Sequence, residues 1–216
     1  MIISIFTDKN SWLYSDLKML KKNIEDLGFN CTIYDKIVDG INGDIAFFLS
    51  YFEIVKPINL KQHKNNIVVH ASDLPFGKGW SPMTWQILEG KNEIPISLLE
   101  ASPKVDSGDI YFKEKIIFEG HELISELRDE LSKKTYSMCL KFIKNYPKIL
   151  EKSHKQSGVE TFYKKRGRDD SALDVNKTII EQFNLLRTVD NENYPAFFIH
   201  KGKKFLVKIE KTDDCN

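Results

Sequence analysis

Between Asp44 and Ser50 the chain carries five apolar residues in succession, Ile45-Ala46-Phe47-Phe48-Leu49. A strand with one wet face alternates apolar and polar residues. A short unbroken apolar run reads instead as a strand covered on both faces, as in a parallel sheet between layers. Ile2 to Phe6 also reads as a buried strand, Cys31 to Tyr34 is a second strand, and Asn66 to His70 is a fourth that ends on a histidine. Between the first two, Leu17, Leu20, Ile24 and Leu27 recur at helical spacing and Gly28 supplies the stop. A loop with Gly77, Gly79 and Pro82 follows the fourth strand, and Met83 to Leu88 begin a helix closed by Gly90. The alternation predicts an α/β chain with an open, mostly parallel twisted sheet and flanking helices.

Beyond Gly90 the pattern changes. Ile94–Leu99 and Ile110–Ile117 read as strands flanking a loop, and residues 121–146 as one long helix with Leu123, Leu127, Leu131, Met138 or Cys139, and Phe142 on its buried stripe. Pro147 ends it. Lys152 to Gly158 is polar and reads as a linker. A smaller unit then holds a strand at Thr161–Tyr163, a helix across Ile179–Arg187 and a hairpin from Ala196 to Ile209 turning at Lys201-Gly202-Lys203. The expected organisation is a catalytic domain over residues 1–150 and a small helix-and-hairpin unit over 151–216, with the hairpin a candidate dimer surface.

Composition narrows the function. With 32 basic and 31 acidic residues the net charge is +1, and the signs balance both before and after residue 150. A large phosphate-backbone interface needs a basic surplus, so no nucleic-acid partner is expected. No apolar run reaches the roughly 20 residues of a membrane helix. The apolar start, Met1 to Phe6, lacks a basic flank and a small-residue cleavage site, so it reads as a strand, and a cytoplasmic location is expected. Cys31, Cys139 and Cys215 are scattered and form no CxxC pair, which argues against a zinc site and suits a reducing compartment.

Two segments carry candidate chemistry. The first is His70-Ala71-Ser72-Asp73-Leu74-Pro75 with Phe76-Gly77-Lys78-Gly79-Trp80-Ser81-Pro82; the second is Val105-Asp106-Ser107-Gly108-Asp109. Ligands of open α/β sheets bind outside the carboxyl ends of the strands, where His70 falls. If the Asp106 turn folds toward the same edge, a His–Asp pair forms in a cleft. Taken singly, a strand-end histidine is more often structural, and an Asp-Ser-Gly turn is ordinary turn chemistry. Lys78 and Trp80 suit a nucleotide diphosphate, as a cation and a stacking face. A solvated lysine and a packing tryptophan are equally ordinary readings. The same two readings apply to Arg187 and Tyr194, and Lys164-Lys165-Arg166 reads as a solvated loop.

Together these segments resemble the signature of the folate-dependent formyltransferases, which include methionyl-tRNA formyltransferase, glycinamide ribonucleotide transformylase and the sugar N-formyltransferases. His70 and Ser72-Asp73-Leu74-Pro75 match its His and Ser-Leu-Leu-Pro, and Asp106 matches its catalytic aspartate. Tyr163 to Leu173, Leu185-Leu186-Arg187 and Tyr194-Pro195-Ala196-Phe197 resemble later parts, so that the likeness runs over residues 45–209. One departure is Val68, where the family has an asparagine two residues before the histidine. Asn66 shares that face but lies roughly 7 Å further back. The missing donor's role falls to Ser72, Ser50 or a backbone N–H, or the reaction leans harder on His70.

The resemblance implies that 10-formyltetrahydrofolate gives its formyl group to a primary amine without a metal. His70 would stabilise the oxyanion, while Asp106 would orient His70 and accept the amine's proton. It places the folate against Leu49, Ser50, Tyr51 and Ile54 and against Ser102, Lys104, Val105 and Asp106, chiefly through backbone groups. Phe47 and Phe48 are read as core. The implied acceptor is a UDP- or dTDP-linked 4-amino-4,6-dideoxy sugar used for surface glycans, bound by Ser72, Lys78, Trp80, Arg187 and Tyr194. The alternatives are a methionyl-tRNA formyltransferase-like enzyme and a non-catalytic folate-binding module. Glycinamide ribonucleotide transformylase would lack the Tyr163–Ile209 unit.

Overall fold

The apolar run at 45–49 lies in the middle of a six-stranded sheet. In the computed structural model, which describes residues 1–212, the first half of the chain forms β1 (Ile2–Phe6), α1 (Leu17–Asp26), β2 (Asn30–Tyr34), β3 (Gly43–Phe48), α2 (Pro57–Leu60) and β4 (His63–His70). It continues through β5 (Lys78–Gly79), α3 (Pro82–Leu88), β6 (Glu93–Glu100), β7 (Ile110–Ile117) and α4 (Ile124–Asn145). The sheet order is β2-β1-β3-β4-β6-β7. The pairings β1–β2, β1–β3 and β3–β4 are parallel; β4–β6 and β6–β7 are antiparallel.

β3 is apolar on both sides because both sides are covered. Ile45 and Phe47 enter the main core with Leu17, Leu20 and Ile24 of α1, Met83 and Ile87 of α3, and Leu127, Met138 and Phe142 of α4. Ala46 and Phe48 face the other way, with Phe6, under Tyr34, Ile37, Tyr51, Val55 and Leu60. Phe47 is fully buried, and burying a side chain of that size stabilises by roughly 1.5–3 kcal/mol. Along β4 the period of two sends Ile67 and Val69 to the helix-covered face and Val68 to the other. Cys31 and Cys139 are buried free thiols; burial pushes the Cys31 thiol up to about 12. Cys215 lies outside the described residues.

The long helix ends at Asn145, with Tyr146 extended before Pro147, as the residue preceding proline prefers. A 3-10 helix (Lys148–Lys152) follows. The segment expected as a linker, Lys152 to Gly158, is instead fastened to the sheet edge. His154 exchanges both backbone hydrogen bonds with Ile110, at 2.9 and 3.0 Å. The chain then forms β8 (Phe162–Tyr163), which pairs in parallel with β5. The remainder forms α5 (Phe183–Thr188), entered through a 3-10 turn, and a hairpin of β9 (Ala196–His200) and β10 (Lys203–Val207). Lys201 and Gly202 turn the hairpin with φ of 47° and 72°, the positive values that two-residue hairpin loops favour. No helix among the described residues is long and apolar enough to cross a membrane.

Candidate active site

β4 delivers His70 to the carboxyl edge of the parallel strands, and the β6–β7 loop brings Asp106 to meet it. His70 Nδ1 lies 3.6 Å from Asp106 Oδ1, with both side chains about nine-tenths enclosed. The other polar atom of each is fixed from outside the pair. His70 Nε2 donates to the Gly77 carbonyl at 2.8 Å; a carbonyl only accepts, so Nε2 carries a hydrogen. Asp106 Oδ2 accepts from the Gly79 N–H at 2.9 Å. Nδ1 and Oδ1 are thus turned toward each other, beyond hydrogen-bond length, with their outward partners preventing rotation.

Local sequence explains how Asp106 gets there. Its φ is 48°, a left-handed conformation that Asp tolerates better than most residues. Two residues on, a Cβ at Gly108 would stand 1.7 Å from the Glu100 carbonyl oxygen, so only glycine lets the turn close against β6. Glu100 anchors that strand end, accepting from the Asn66 N–H, Asn65 Nδ2 and Tyr111 hydroxyl. Burial raises its carboxyl pKa against these bonds.

Three side chains missed by the sequence reading, Gln156, Thr161 and Glu160, support the pair. Gln156 Nε2 donates to the Asp106 and Gly108 carbonyls at 2.8 and 2.9 Å. Thr161 Oγ1 accepts from the Gly77 N–H at 2.8 Å. Lys78 Nζ donates to Ser107 Oγ and Glu160 Oε1, both at 2.8 Å. Lys104 also pairs with Glu160. These ammonium groups, Lys104 first, hold the Glu160 carboxyl down at about 2. Nothing local in the sequence marks these partners, which are brought together from positions tens of residues apart.

The expected ligand-binding residues divide. The Ser50–Val55 loop leaves Phe52 and Ile54 exposed, and the loop after β6 leaves Val105 exposed. Ser102 Oγ donates to the Lys104 carbonyl, and Lys104 pairs with Glu160. Leu49 and Tyr51 pack in the core clusters, and Ser50 turns the chain with φ 51°. Trp80 stands beside the pair, 5.8 Å from Phe52 and with Lys165 Nζ 4.6 Å above its ring.

Three expected acceptor contacts are corrected. Ser72, Lys78 and Arg187 are each 0 % exposed, so none presents a surface to a ligand. Lys78 is an internal ion beneath the Asp106 turn. Arg187 is bonded to Asn92 and Asn184 and lies 3.5 Å from Glu122. Tyr194 is half exposed but borders a hollow with Arg168, Phe197 and Lys204 that contains neither His70 nor Asp106. A larger cavity of about 690 Å³, between the start of α4 and residues 189–192 and 209–211, also excludes the pair. Asn66 Nδ2 is bonded to the Leu60 carbonyl, and Ser72 Oγ is enclosed with no hydrogen-bond partner.

The mixed sheet, parallel from β2 to β4 and antiparallel beyond, with its flanking helices has the formyltransferase fold. The chain is 30% identical over 137 residues to the methionyl-tRNA formyltransferase of Finegoldia magna, covering 63% of this chain and 43% of that protein. Its structure superposes on a methionyl-tRNA formyltransferase from Clostridium thermocellum with a TM-score of 0.79 at 24% identity, over 100% of this chain and 95% of that one. It also resembles a sugar N-formyltransferase from Shewanella, with a TM-score of 0.70 at 12% identity over 98% of both chains. No family model matches. The chain is thus similar in sequence to methionyl-tRNA formyltransferases and shares the formyltransferase fold. It spans about half the length of the curated relatives it matches.

Proposed function

We propose that the chain transfers the formyl group of 10-formyltetrahydrofolate to the primary amine of a nucleotide-linked amino sugar. The observation that carries the transfer chemistry is the facing of His70 Nδ1 and Asp106 Oδ1 at 3.6 Å, each held by a backbone group on its far side. The neutral amine nitrogen attacks the formyl carbon, and the carbonyl π pair moves onto oxygen. With Nε2–H engaged by the Gly77 carbonyl, the oxyanion is stabilised by the Nδ1–H that His70 carries in its imidazolium form. The Asp106 carboxylate accepts the proton shed by the new ammonium. Collapse breaks the bond between carbon and N10, and the proton passes to N10. The products are the N-formylated amine and tetrahydrofolate. Phe52, Ile54 and Val105 provide apolar surface for the folate rings.

For the acceptor, Trp80 with Lys165 over its face offers a stacking plane and a cation beside the pair, which suits a base and a phosphate. The near-zero net charge also favours a small acceptor over an RNA. The second reading, methionyl-tRNA as acceptor, is favoured by the sequence relatives, which carry that activity in their names. One assay separates the two. The purified protein receives 10-formyltetrahydrofolate with either a panel of UDP- and dTDP-linked amino sugars or charged initiator tRNA, and products are followed by mass. Formylated sugar is expected; formylation of the tRNA alone overturns the sugar assignment. His70→Ala and Asp106→Ala should each lower kcat about 10²–10⁴-fold with the fold retained by circular dichroism. Near-normal turnover in either overturns the residue roles.

A further inference from the structure

The segment from Glu151 to Glu160 is largely polar, and nine of its ten residues are exposed. Gln156 alone turns inward. Its amide meets two carbonyls of the turn that carries Asp106, at 2.8 and 2.9 Å. Five residues later the same segment reaches the other half of the site. Thr161 Oγ1 holds the Gly77 N–H, the Thr161 carbonyl accepts from the Lys78 N–H at 2.9 Å, and the Thr161 N–H donates to the Pro75 carbonyl at 3.3 Å. Gly77 is the residue whose carbonyl fixes His70. Between the two anchors, Glu160 bonds Lys78, which bonds Ser107 beside Asp106.

We infer that this strap, residues 153–163, sets the separation of His70 and Asp106, with Gln156 and Thr161 as its positioning residues. The two catalytic loops leave the sheet from different strands, and the strap bonds to both. Asp106 is in a left-handed conformation, which persists only where the surroundings enforce it. The Gln156 amide supplies that enforcement from behind, on the backbone, and leaves both carboxylate oxygens free of it. The role of the pair rests on the formyl-transfer reading; the geometric role of the strap does not.

The test uses Gln156→Met, which keeps the length of the side chain and removes both donors, in the full chain. Lys155→Ala and Ser157→Ala, on the exposed face of the strap, are controls. With substrates, kcat should fall about 10²-fold, the scale of an ångström-sized misplacement. KM for folate and amine should stay within twofold, and the controls should match the parent. Without substrates, the backbone amide of Gly79, which donates to Asp106, and the His70 ring should shift in ¹H–¹⁵N spectra. An unchanged kcat with unshifted Gly79 and His70 signals overturns the inference. If the parent protein shows no formyl transfer, the reading beneath fails, while the spectral arm still decides the strap. Should Gln156→Met not fold, Thr161→Val serves in its place; it must shift the His70 ring signals, and their constancy overturns the inference.

Discussion

At the scale of single residues, the site depends on close approach more than on side-chain identity. Gly108 is the sharpest case. A Cβ there would fall 1.7 Å from a backbone oxygen, and backbone cannot swing aside as the end of a side chain can. Gly108→Ala must therefore move the turn and carry Asp106 with it. We expect kcat to fall about 10²-fold. Gly40→Ala, where φ is +85° but no atom lies within 4 Å, should lower stability and leave kcat alone. Steady-state kinetics and urea unfolding of the two variants check this contrast; equal kcat in both would remove Gly108 from the account. The glycine was visible in the sequence as part of an Asp-Ser-Gly turn, but the reason for it was not. The clashing oxygen belongs to Glu100, on the strand before the turn.

At the scale of elements, the helix-covered face of the sheet bears the stability. Phe142 of α4 is fully buried, edge-on to Phe47 at 6.3 Å and to Tyr111 at 5.1 Å. It joins the parallel part of the sheet, through β3, to the antiparallel part, through β7. Phe142→Ala should cost about 3–5 kcal/mol, with a cavity left behind. The measurement is the urea midpoint at unchanged m-value. Turnover per folded molecule should persist, since α4 contributes no group to the His70–Asp106 pair. The buried stripe containing Phe142 was legible at helical spacing, and so were the strands at 2–6 and 44–50. The expected helix across 179–187 instead opens as a 3-10 turn before α5.

At the scale of the molecule, the two parts of the sequence are joined through charge as well as through backbone. Lys78 is completely buried, and Glu160 is its carboxylate partner. The Glu160 carboxyl is held at about 2, against an ordinary 4.5, by Lys104 first and then Lys78. Its folded pKa is thus depressed. The stabilisation is fully present above pH 4.5 and is lost as pH falls from there toward 2. Glu160→Gln should lower the urea midpoint at pH 7 and flatten its dependence on pH over that acid window. A variant whose midpoint tracks the parent at every pH would show that the pair contributes nothing to folding. Arg187 makes a related point: an arginine near an aromatic motif reads as a ligand contact, yet here it is an enclosed ion among Asn92, Asn184 and Glu122.

The sequence by itself determined the α/β alternation and the buried strands and helices, each written in local spacing: period two or unbroken apolar runs for strands, three and four for helices. His70 and Asp106 were legible as candidates through the likeness of their motifs to those of the formyltransferases. Tertiary structure alone decided that Lys152–Gly158 is a strap and not a linker, that Gln156 and Thr161 brace the pair, and that Ser72, Lys78 and Arg187 are closed to ligands. Those outcomes turn on which distant carbonyl or carboxylate a polar side chain finds. A polar residue bonded to protein and one bonded to water look the same in sequence, because burial of either is fixed by what folds over it.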